Sequence, residues 1–202
     1  MKSIDNKIVL SIYGHGRGFV FTPNLFSSLG DPRVIGTALT RLSRKGTIRR
    51  LARGLYDYPR KHDQLGLLSP SLDDVANALK GRDATRLQPF GAYAANLLGL
   101  SDQVPMKVVF LTDGPSKHIQ LGKQEIILKR TTPRNMATAG RTSGLVIQAL
   151  RHLGQRHMDD EVLHALKSRL SDDDKKQFIK DLQYAPAWIA DIMRNISNPM
   201  VT

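Results

Sequence analysis

Apolar and polar residues alternate along the first sixty positions in a way that sets out a series of short elements. Ile4, Ile8, Val9 and Ile12 recur at helical spacing and predict a first helix over residues 3–12. Phe19-Val20-Phe21 reads as a short strand, and Thr22-Pro23 opens a short helix with Leu25, Phe26 and Leu29 inward and Gly30 at its end. Asp31 then caps a helix whose first residue is Pro32. Val34, Ile35, Ala38, Leu39 and Leu42 are expected to form its buried face, with Arg33, Thr37, Thr40, Arg41 and Arg44 on or beside the opposite face. Lys45-Gly46 stops it, because glycine adopts the left-handed conformation that ends helices. Two short strands follow, Thr47 to Arg50 and Leu55 to Tyr58, around a turn at Leu51-Ala52-Arg53-Gly54.

Beyond Arg60 the pattern changes. Residues 60–69, with Gly66 and Pro70 close by, read as the exit from a first domain. Ser71 and Asp73-Asp74 start a helix carrying Leu72, Val75, Ala76 and Leu79 that Lys80-Gly81 closes. Tyr93 to Leu100 reads as a helix, Lys107 to Leu111 as a strand, and His118 to Leu121 with Gln124 to Arg130 as a hairpin about Gly122-Lys123. Four helical stretches complete the chain, over residues 142–153, 159–170, 172–184 and 186–196, the last holding the single tryptophan, Trp188, which reads as core or partner contact. The fold class is therefore α+β: an amino-terminal winged helix-turn-helix over residues 1–65, then a mixed α/β domain over 66–202 that ends in helices.

Charge sharpens this picture. The net charge is +12, and residues 1–65 hold twelve Lys and Arg against four acids, so two thirds of the excess lies in one third of the chain. Between Arg41 and Lys61 eight basic residues face one acid, Asp57. A helix and hairpin with that charge suit a polyanion: the helix fits a major groove, and an arginine-bearing wing follows phosphates or enters the minor groove. Arg33, Thr37, Thr40 and Arg41 are expected to read bases, and Arg44, Lys45, Arg49, Arg50 and Arg53 to grip the backbone.

Candidate chemistry adds little. There is no cysteine, which excludes disulfides, thiolate zinc sites and thiol nucleophiles. Tyr13-Gly14-His15-Gly16-Arg17-Gly18 is glycine-rich, yet no strand precedes it and no Lys-Ser/Thr follows, so it reads as a turn rather than a nucleotide loop. His157, Glu161 and His164 share a spacing one helix face could use for a metal, but without a further ligand they read as a solvated face. Ser143-Gly144 and Asp113-Gly114 lack the surroundings of a hydrolase elbow. Neither a catalytic constellation, a metal site nor a cofactor is expected. The longest apolar run near the start, Ile8 to Ile12, is far too short to cross a bilayer, and a cytoplasmic protein is expected.

With the wing, Gly91-Ala92-Tyr93-Ala94-Ala95-Asn96-Leu97-Leu98-Gly99-Leu100 and Lys107-Val108-Val109-Phe110-Leu111-Thr112-Asp113-Gly114 in view, the chain resembles the AbiEi-type antitoxins of bacterial type IV toxin-antitoxin systems. More narrowly it is similar to their shorter branch, known as a family of unknown function. The resemblance runs from about Ile12 to Gly154 and is weaker over the final helices. It implies a DNA-binding autorepressor acting on inverted repeats of its own promoter; helix-turn-helix proteins commonly bind palindromes as dimers, and a monomer in solution or a dimer on DNA is expected. It also implies an antitoxin that counters a neighbouring nucleotidyltransferase toxin without needing a stable complex. The alternative is a protein-interaction module whose basic hairpin docks an acidic partner such as the toxin.

Overall fold

The computed structural model describes residues 3–80 and 85–197, and the chain divides into two units, Met1–Thr85 and Arg86–Thr202. In the first unit α1 (Ile4–His15) leads through Gly16 into β1 (Val20–Phe21), a 3₁₀ helix (Pro23–Leu29) and α2 (Pro32–Arg44). Strands β2 (Arg49–Ala52) and β3 (Leu55–Asp57) follow and complete a sheet of order β1-β3-β2, with both pairings antiparallel. Ile8 and Ile12 of α1, Phe21, Phe26, and Ile35 and Leu39 of α2 fill the core between them.

Asp31 caps α2 as expected, accepting from the Arg33 amide at 2.7 Å, and Gly46 takes the left-handed backbone after it with φ +70°. Val34 was expected inside but is 48% exposed. The reason is angular: Ile35, Ala38, Leu39 and Leu42 centre the buried face, and Val34 lies at its margin one step around the wheel. The hairpin turn is tighter than the four residues expected, because Ala52 pairs with Leu55 and only Arg53-Gly54 lie between. Two further expectations change. Residues 60–69 are not a bare linker: β4 (Lys61–His62) pairs with β5 (Gly66–Leu67). The boundary falls after residue 85 rather than 65, since α3 (Leu72–Lys80) packs on β1. Its expected terminator, Gly81, lies outside the described residues.

The second unit is built on β6 (Leu87–Phe90), β7 (Lys107–Thr112), β8 (Lys117–Leu121) and β9 (Gln124–Arg130), in the order β6-β7-β9-β8. Strands β7 and β9 run parallel and the outer pairs antiparallel. Strand β6 was not expected; Pro89 and the adjoining Gly91 hide it from a period-two reading. Helices α4 (Ala92–Leu97), α5 (Pro133–Met136), α6 (Thr142–Leu153), α7 (Asp160–Ser168), α8 (Asp172–Asp181) and α9 (Ala187–Ser197) supply the rest. Ala94, Leu150, Leu166, Phe178 and Met193 meet in a core against which Trp188 also packs. Unit and fold class are thus α+β, and no helix among the described residues is long and apolar enough to cross a membrane.

One glycine in α6 sets a packing limit. A methyl group at Gly144 would lie 2.5 Å from Gln88 Oε1 and closer still to the Thr138 carbonyl. Gly144→Ala, normally stabilising inside a helix, is therefore expected to destabilise the second unit by about 1–3 kcal/mol, since backbone must move. Urea denaturation followed by Trp188 fluorescence measures it; a gain in stability would show that α6 and the Thr138 loop separate freely.

Candidate nucleic-acid interface

On α2 the residues Arg33, Thr37, Thr40 and Arg44 follow one another at steps of four, three and four, so they form one stripe directly opposite the buried face. All four are exposed. The stripe runs about 16 Å along the axis, eleven residues at the usual rise. Neither arginine has a carboxylate partner among the described residues. The Thr37 hydroxyl donates to Arg33 O at 2.9 Å and the Thr40 hydroxyl to Gly36 O at 2.8 Å, so both protons are used within the helix and each oxygen faces outward as an acceptor.

Arg41 lies beside this stripe and is differently placed. Its Nε and Nη2 donate to Asp5 of α1 at 3.0 and 2.6 Å, a bidentate pair that ties α1 to α2. The hydrogen bond from Arg41 holds the Asp5 carboxyl below the usual carboxylate range and raises the arginine in turn. The arginine side chain remains 47% exposed, so the pair sits at the margin of the basic surface. Its base-reading role, as expected from sequence, would require giving up Asp5. No local signal links the two, which are 36 positions apart.

Arg49 requires a correction. It was expected to grip phosphate, but its Nε and Nη2 donate to Asp57 at 3.1 and 2.6 Å and Nη2 also reaches Leu68 O at 2.7 Å. Asp57 is 1% exposed, and the two residues face each other directly across β2 and β3. A buried carboxylate needs that partner, so Arg49, its side chain 29% exposed, is committed to Asp57. Arg50 and Arg53 are exposed with no carboxylate partner among the described residues; Arg50 makes only a long 3.4 Å contact to Ala52 O. Lys45 is exposed at the end of α2. Of the sites read from sequence, Arg33, Thr37, Thr40, Arg44, Lys45, Arg50 and Arg53 are exposed, while Arg41 is paired with Asp5 and Arg49 with Asp57.

His157 Nδ1 lies 2.7 Å from Leu153 O, and among the described residues no three His, Asp or Glu could hold a metal ion. A family model described as a family of unknown function (DUF6088) matches residues 7–178. The chain belongs to that family. The DUF6088 match takes in α2, the β2–β3 hairpin and the whole four-stranded sheet, and stops within α8. No curated protein matches this DUF6088 member.

Proposed function

We propose that the first unit is a winged helix-turn-helix that binds duplex DNA, and that the protein is a transcriptional autorepressor and antitoxin of a type IV toxin-antitoxin system. The order α1, β1, 3₁₀ helix, α2, β2, β3 and the sheet order β1-β3-β2 support the fold reading. What carries the function is the stripe Arg33, Thr37, Thr40 and Arg44, exposed along α2 and followed by a hairpin with Arg50 and Arg53 outward. Arg33 and Arg44 present forks suited to guanine O6 and N7 or to phosphate. The two threonines, whose protons are already donated, accept from cytosine N4 or adenine N6 and offer methyl groups to thymine. Lys45, Arg50 and Arg53 neutralise phosphates.

Arg50→Ala is expected to reduce the slope of log K against log salt by about 0.9 while leaving the preference for its own upstream DNA intact. Arg33→Ala is expected to reduce that preference, by about 1–3 kcal/mol if it contacts guanine in bidentate fashion. Anisotropy titrations with the upstream duplex and a scrambled duplex separate the two effects. The antitoxin role rests on the resemblance over Gly91 to Leu100 and Lys107 to Gly114. Co-expression with a neighbouring nucleotidyltransferase gene is expected to restore growth that the toxin alone arrests; growth that stays arrested removes the antitoxin role and leaves DNA binding standing.

A further inference from the structure

The glycine-rich turn at the end of α1 carries a cluster that duplex binding does not use. Tyr13, 49% exposed, stacks on Tyr58 with ring centres 5.1 Å apart, and Arg17 Cζ sits 4.7 Å from the Tyr58 centroid. Exposed His15 stacks on Phe19 at 3.9 Å with the rings 12° from parallel. The turn is tied to the strand behind these rings: Gly18 N donates to Tyr58 O at 2.6 Å, Tyr58 N to Phe19 O at 2.9 Å, and Arg17 Nη1 to Pro59 O at 3.1 Å. Gly18 has φ +93° and lies against the Arg60 guanidinium, where a side chain would collide, while a Cβ at Gly14 or Gly16 would meet nothing within 4 Å. The backbone around the two rings is therefore bare and open.

The surroundings are cationic. Arg17, Arg60 and Lys61 are exposed, and each arginine keeps N–H groups beyond the one it gives to the loop. Asp57 is engaged by Arg49, and Asp74 of α3, which lines one pocket with Gly18, Asp57 and Arg60, accepts from the Ser71 hydroxyl at 2.7 Å, leaving Asp63 in the β4–β5 turn as the exposed acid of residues 57–67. The cluster also stands apart from the wing. Val20 and Arg49 both pair with Asp57, so the turn lies at the Asp57 end of the sheet, opposite the Arg53-Gly54 tip. That is about 10 Å of strand.

We propose that Tyr13, His15 and Arg17, with Arg60 and Lys61, form a second nucleic-acid site, which binds an unpaired strand by stacking bases on Tyr13 and His15. Flat, half-exposed rings beside fixed guanidinium groups match what single strands require: a π-face for each base and cations for the backbone between them. An acidic peptide would satisfy the cations and leave both rings bare. Sequence preference is weak, because every base has a face to stack.

The test is anisotropy of the full chain with fluorescein-labelled single strands of about twelve nucleotides, oligo-dT and oligo-U in separate arms. Tyr13→Leu, which keeps apolar bulk and removes the ring, is expected to weaken binding about tenfold, and Tyr13→Phe to retain it. Arg17→Gln is expected to lower the salt slope by about 0.7, the single-strand value for one phosphate. Equal affinity in the two arms assigns the site to bases and backbone; a clear advantage for oligo-U adds a 2′-hydroxyl contact and supports the same site. The double variant Arg44→Ala, Arg53→Ala should leave all of this unchanged while weakening duplex binding and lowering its salt slope by about 1.8, so the two readings fail separately. Absence of single-strand binding, or binding indifferent to Tyr13→Leu in a protein whose circular dichroism is unchanged, or loss caused equally by Arg44→Ala and Arg53→Ala, overturns the proposal.

Discussion

Arg49→Ala is expected to destabilise the first unit by about 3–5 kcal/mol, more than any change on the exposed stripe. The size follows from what remains behind. Asp57 is 1% exposed and loses both guanidinium hydrogen bonds, while Leu68 O loses its donor. A buried carboxylate without a cation must either protonate or draw water inward, and each option costs free energy comparable to a domain's margin of stability. Hydrogen exchange measures this locally: amides of β2 and β3 should exchange far faster in the variant, with those of α6 and α9 as the internal reference. Unchanged exchange combined with a shallower salt dependence of DNA binding would return Arg49 to the phosphate contacts.

Asp181→Ala is the corresponding expectation for the second unit, at about 3 kcal/mol. Asp181 is 1% exposed and gathers Arg141 Nη1 at 2.6 Å, Gln177 Nε2 at 3.1 Å and the Ser143 hydroxyl. It thereby places a negative charge against the first turn of α6, whose N-cap, Arg141, makes no side-chain cap of its own. Removing it strands the buried Ser143 hydroxyl and unties α6 from α8. Arg141 remains 39% exposed and regains water, which keeps the loss at the lower end of the range for a broken pair. Trp188 fluorescence in urea reports the change; a shift below about 1 kcal/mol would mean the first turn of α6 is satisfied without Asp181.

What the sequence made legible was local. The cap at Asp31, the stop at Gly46, the helix over Thr142–Leu153 and the hairpin about Gly122-Lys123 all depend on residues a few positions apart, and the structure keeps them. What it hid depends on registers and partners distant along the chain. A regular hairpin closed by Arg53-Gly54 would set Arg50 opposite Asp57; the irregularity between Arg50 and Ala52 inserts one residue and brings Arg49 there instead. That single residue decides which arginine pairs with Asp57. Asp5 and Arg41 meet only because α1 and α2 pack together, and the pairing of Tyr13 with Tyr58 likewise needs the β1–β3 register. On α2 the stripe was legible because helical periodicity is enough to define it, and Val34 failed because periodicity does not say how wide the buried face is.

The same distinction separates the two proposed nucleic-acid surfaces. Arg33, Thr37, Thr40, Arg44, Arg50 and Arg53 offer charge and groove-reading donors and acceptors with no exposed ring among them, as a duplex requires. The α1 turn combines rings with charge. Each can be removed without touching the core.

The most direct measurement is the affinity for duplex DNA from the protein's own upstream region as a function of salt, for wild type and for the triple variant Arg44→Ala, Arg50→Ala, Arg53→Ala. Three lost phosphate contacts should reduce the slope of log K against log salt by about 2.7, while the wild type holds its upstream duplex over a scrambled one at every salt concentration. A slope that does not change in the triple variant, together with equal affinity for upstream and scrambled duplexes, would contradict the assignment of α2 and its hairpin as a DNA-reading surface.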